Sequence, residues 1–108
     1  MTMQLAEAQI GEHLDDLRKK IDAFDEALVR LLNARAACAL EIGRVKGQLG
    51  LALYEPDREG AVLGHVRRAN PGPLDDEAIC RLFERVIDEA RRLERGADAA
   101  GNPADSHA

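Results

Sequence analysis

The chain has 108 residues, a formal net charge of -5, 45% hydrophobic and 32% charged residues, and as its aromatics only Phe24, Tyr54 and Phe83. This composition supports one packed domain and excludes a mostly disordered chain; its Leu, Ala, Val and Ile beside many Glu and Arg favour helices over a sandwich or barrel. The acidic balance and scarce aromatics argue against a nucleic-acid binder, and no run of about 18 apolar residues exists to span a membrane.

Residues 1–11 read as an N-terminal extension, with neither the basic nor the apolar region of a secretory signal, so the cytoplasm is the expected compartment. The first helix is expected from about Glu12, after Gly11, to Leu49, although Met3 to Ile10 could add two more turns. Leu14, Leu17, Ile21, Phe24, Leu28, Leu31, Arg35, Cys38, Ile42, Val45 and Leu49 recur in alternating steps of three and four. That is a heptad seam sustained over about five heptads. Gly43 and Gly47 weaken its end, and Gly50 is a plausible stop. Such a helix spans about 57 Å, whereas a compact chain of this length has a diameter of roughly 34 Å. The two shorter helices cannot cover all of the seam, which predicts a homodimer with the long helices on each other.

After a loop over 50–56, a second helix is expected over 57–69, with Ala61, Val62, Val66 and Ala69 on its apolar face. Asn70-Pro71-Gly72-Pro73 ends it. Asp75 is placed to cap a third helix, whose stripe is Ile79, Leu82, Phe83, Val86, Ile87, Ala90 and Leu93. Residues 12–96 form the helical domain, and 97–108 read as a disordered tail. Cys38 and Cys80 are far apart with no His near either, and read as reduced core residues with no metal.

Arg35 sits inside the apolar seam, where a guanidinium is costly unless it meets an anion. The alternative is a register-setting residue paired with a Glu. Lys46 lies eleven residues on, on the same helix face and about 16 Å away. Together the two could clamp one small anion; alternatively, Lys46 is a solvated residue at the negative end of the helix. Arg18 is about 25 Å from Arg35 on a straight helix, so it could share a ligand with Arg35 only from a second copy. Otherwise it is a surface residue pairing with Asp15 or Asp22. In Tyr54-Glu55-Pro56-Asp57-Arg58-Glu59, Glu59 suits a helix start, whereas Arg58 does not and needs an anion. Glu94 lies on the Phe83–Ile87–Ala90 row, either as a carboxylate ending an apolar row or, beside Arg91 and Arg92, at a frayed end. No Ser-His-Asp or Cys-His arrangement, phosphate loop or zinc-helix motif is visible.

This ordered set resembles the all-helical, AroQ-class chorismate mutases. The matching pieces are Leu17-Arg18-Lys19-Lys20-Ile21-Asp22, Leu31-Leu32-Asn33-Ala34-Arg35, Glu41-Ile42-Gly43-Arg44-Val45-Lys46, the Tyr54–Glu59 segment, Arg81-Leu82-Phe83 and Glu94. The resemblance implies an all-α fold of three helices per chain, one long and two shorter, in an intertwined homodimer with shared active sites. It implies the Claisen rearrangement of chorismate to prephenate in aromatic amino-acid biosynthesis, with no cofactor or metal. By position, Arg35 and the partner's Arg18 would hold the substrate carboxylates, and Lys46 and Glu94 would meet the ether oxygen. Glu55 and Glu59 would face the ring hydroxyl, and Arg58 would order the pocket. Three positions depart from the pattern. Some members have Gln in place of Glu94, and a glutamate donates only when protonated. Ala90 stands where some have Ser, which removes a hydroxyl but leaves the position able to line the pocket. Glu55 stands where others have Asp. The competing readings are an isochorismate-pyruvate lyase of the same fold and a non-catalytic helical interaction module.

Overall fold

The computed structural model describes residues 2–101. Among these residues the chain forms three α-helices and no strand: α1 (Thr2–Leu49), α2 (Pro56–Ala69) and α3 (Asp76–Gly101). None of them is long and apolar enough to cross a membrane. The chain divides into two compact units, Met1–Ala34 and Arg35–Ala108.

The first unit is helical throughout its described length, so of the two starts left open by the sequence the longer one, with Met3 to Ile10 in the helix, is the one formed rather than a start near Glu12. Gly11 does not break the helix because one interior glycine costs only about 1 kcal/mol against alanine. The preceding Leu5-Ala6-Glu7-Ala8 is a run of good helix formers. The seam residues Leu14, Leu17, Ile21, Phe24, Leu28 and Leu31 are all exposed, Phe24 by 65% and Leu31 by 66%. A single helix has nothing to bury such a stripe against.

In the second unit α1 supplies residues 35–49, and its end is a Schellman motif. Leu51 N–H donates to Lys46 C=O at 2.8 Å and Gly50 N–H to Gly47 C=O at 3.2 Å. Gly50 takes φ +71°, which only glycine adopts without strain. Helices α2 and α3 lie against each other. Cys80, Ile87 and Ala90 of α3 are buried, and Ile79, Phe83 and Val86 are half-buried. The α2 face is Val62, Leu63 and Val66, all half-buried, whereas Ala61 and Ala69 are exposed. The helical period from Glu59 runs through 62, 63 and 66, a rotation that the two alanines obscured.

The α2–α3 connection is organised by Asn70. Its Nδ2 donates to Leu74 C=O and to Asp76 Oδ1, both at 2.8 Å, and its Oδ1 accepts from Gly72 N–H at 3.1 Å. Arg67 Nε donates to Cys80 Sγ at 3.0 Å, tying α2 to α3. Asp75 caps α3 as expected: its Oδ1 accepts from Ala78 N–H at 2.7 Å. The third helix continues to Gly101, through the first five residues assigned to a tail, where Ala97-Asp98-Ala99-Ala100 favours helix. The remainder of that stretch, 102–108, lies outside the described residues. Both cysteines are free, Cys80 buried as expected, but Cys38 is exposed. Its seam position has no covering surface within the unit.

Candidate active site

Within the second unit the three helices and the 50–55 loop line a half-open cavity of about 520 Å³, a size suited to a small molecule. Of the eight residues singled out from sequence, seven line it: Arg35, Lys46, Glu55, Arg58, Glu59, Ala90 and Glu94. The eighth, Arg18, is exposed and belongs to the first unit. The cavity has two residues that sequence reasoning passed over. Cys38 lies on its wall, and Arg91 adds a fourth cation to Arg35, Lys46 and Arg58. Apolar side chains including Ile42, Leu53, Val62 and Ile87 complete it.

Each polar group is placed by its helix. Lys46 sits in the last turn of α1, and its Nζ donates to Leu53 C=O at 3.5 Å and pairs with Glu55. Lys46 is 18% exposed against 49% for Glu55, so the lysine is a largely enclosed charge with a wet counterion. Glu55 holds the N-cap position of α2 without a side-chain cap bond. A glutamate is a poor substitute for the usual Ser, Thr, Asp or Asn there. Its carboxylate turns to Lys46 instead, a local rule broken where a site needs the charge. Its backbone C=O still accepts from Arg58 N–H at 3.1 Å and Glu59 N–H at 3.3 Å, starting the helix.

Glu59, one turn into α2, accepts at Oε2 from Arg91 Nη2 at 2.6 Å. Arg91 also lies 4.5 Å from the centroid of the Tyr54 ring. Glu94 is half-buried and reaches over α1, where its Oε2 comes within 3.9 Å of the position a Cβ would take on Gly43. Glu94, Gly43 and Leu53 also line a second cavity beside the first, whose rim carries Glu41 and Arg44. There the hydrogen bond from Arg44 holds the exposed Glu41 carboxyl below its ordinary value.

The charges do not cancel. Among the described residues Lys46 and Arg91 have carboxylate partners, while Arg35 and Arg58 make no salt bridge. Two cavity guanidiniums without counterions invite an anion with planar, bidentate acceptors, and a carboxylate is one. Fold and cavity together define an all-helical protein with a small cavity lined by four cations and three carboxylates. A sequence model of the type II chorismate mutases matches residues 17–95. The chain belongs to that family.

Its similarity to individual proteins is of two kinds. It is 42% identical over 89 residues to the bifunctional chorismate mutase/prephenate dehydratase of Pseudomonas aeruginosa, covering 78% of this chain and 24% of that one. The protein of the same description from Neisseria gonorrhoeae is 45% identical over 86 residues, 80% of this chain and 23% of its own. The chain therefore spans about a quarter of the length of these bifunctional relatives. Against the chorismate mutase of Methanocaldococcus jannaschii identity is 27% over 85 residues, but the match covers 86% of that protein. Among solved structures, form II of the chorismate mutase from Thermus thermophilus superposes with a TM-score of 0.74 at 37% identity. That match covers 77% of this chain and 94% of the other.

Proposed function

We propose that this chain catalyses the rearrangement of chorismate to prephenate in aromatic amino-acid biosynthesis, as a cytoplasmic homodimer. The observation that carries the reading is one small cavity shared by Arg35, Lys46, Glu55, Arg58, Glu59, Ala90 and Glu94, with Arg35 and Arg58 lacking counterions.

The reaction is a single sigmatropic shift: the ether C–O bond breaks as a C–C bond forms, with no external nucleophile and no net proton transfer. The protein therefore has two tasks. It must fold an extended dicarboxylate into a chair in which the reacting carbons meet, which is orientation by bidentate arginine contacts. It must also place donors on the ether oxygen, whose negative charge grows as the bond breaks. Arg35 does the first, with the partner's Arg18 on the second carboxylate. Lys46 and Glu94 do the second. Glu55 and Glu59 receive the ring hydroxyl, Arg58 orders their end of the pocket, and Ala90 forms wall. The exposed stripe from Leu14 to Leu31 supports a second copy as its cover.

The test is purified protein with chorismate, products separated and identified, and isochorismate in parallel. Prephenate formed by the native chain and abolished by Arg35→Ala is the expected result. Pyruvate and salicylate from isochorismate would overturn the mutase reading in favour of the lyase, and turnover of neither would overturn both.

A further inference from the structure

The Arg91 guanidinium performs no task in the scheme above, yet it is held on two partners in the cavity. It reaches from α3 to Glu59 of α2, 32 residues away in sequence, with Nη2 2.6 Å from Oε2. Its other contact is the Tyr54 ring of the 50–55 loop, 4.5 Å from the guanidinium carbon. The side chains of Arg91 and Glu59 are only 27% and 26% exposed. An ion pair screened in this way holds its geometry better than one at the surface.

We propose that Arg91 is a positioning residue that fixes Glu59 as the acceptor for the substrate's ring hydroxyl, with Tyr54 fixing Arg91 in turn. This rests on the mutase reading. Glu59 makes one side-chain hydrogen bond among the described residues, through Oε2. Oε1 is left with its lone pairs for a ligand, and a carboxylate anchored through one oxygen presents the other at a defined angle. The guanidinium is planar, so one edge bonds the carboxylate while its face stacks on the phenol ring, which an ammonium cannot reproduce. The three groups come from three separate segments, so a hydroxyl acceptor is built only when the 50–55 loop, α2 and α3 are all in place. Arg91 touches no reacting atom, and its effect passes through Glu59.

The experiment is a double-mutant cycle on kcat/KM with Arg91→Leu and Glu59→Gln in the full chain. A chorismate analogue lacking the ring hydroxyl serves as second substrate. Arg91→Leu alone should lower kcat/KM for chorismate about tenfold, the value of one well-placed bond to a charged group. In the Glu59→Gln background the same change should cost less than about twofold, because the group it positions has lost its charge. The loss should be absent with the hydroxyl-free analogue, and Arg91→Lys should lie between the native chain and Arg91→Leu. Equal losses on both substrates, or additive losses in the cycle, would overturn the proposal, since a merely structural role predicts them. Should Arg91→Leu fail to fold, Arg91→Lys carries the same cycle. A native chain that leaves chorismate unchanged overturns the mutase reading and this inference together; native turnover with an additive cycle overturns only the inference.

Discussion

Replacing Lys46 by methionine separates chemistry from stability. Methionine keeps the length and helix propensity of the side chain but donates no hydrogen bond. The native Nζ has two partners, Glu55 and the Leu53 carbonyl at 3.5 Å. The ion pair contributes little to folding: Glu55 is half in water, so by the scale of exposed pairs its loss costs about 1 kcal/mol or less. For a domain of this size that lowers the melting midpoint by about 4–8 °C at most. The reaction loses far more. One donor to an oxygen that gains charge in the transition state is worth roughly 3–4 kcal/mol, or about 10²–10³ in kcat. Initial rates of prephenate formation, with thermal melts on the same samples, measure both quantities. A kcat within about fivefold of the native value would refute Lys46 as the ether-oxygen donor. A melting drop deep enough to unfold the sample at assay temperature would refute the stability argument.

Other substitutions probe other parts. Glu94→Ala removes the second group proposed for the ether oxygen and should lower kcat about 10²-fold. Glu94→Gln carries an amide that donates from the same place and should retain turnover; an alanine variant as active as the native chain would remove Glu94 from the mechanism. Asp75→Ala deletes the 2.7 Å bond to Ala78 N–H and should cost about 1 kcal/mol. It should be read as a lower denaturant midpoint at unchanged slope, with kcat intact. Phe24→Asp puts a charge on the exposed seam and should halve the mass seen by sedimentation equilibrium; an unchanged dimer would place the interface elsewhere.

The sequence was most legible where one helix carries the information. The spacing of Arg35 and Lys46 on one face, the stop at Gly50 and the cap at Asp75 each follow from local periodicity or terminus chemistry, and each stands in the structure. Legibility failed at helix ends, where glycine at 11 and a run of Ala and Asp near 98 weigh only about 1 kcal/mol either way. It failed also for Arg91. In sequence this residue only made Glu94 look exposed. Its meaning lies in Glu59 and Tyr54, which no helical spacing from position 91 reaches.

The folded chain already holds Lys46 on two partners, with its long stem enclosed. Immobilising a lysine side chain forfeits up to about 2 kcal/mol of rotational freedom. Here that loss falls on the folding equilibrium, before any substrate arrives. On the reading proposed above, the substrate's ether oxygen would meet an ammonium that is already still, and affinity would not be diminished by freezing that side chain.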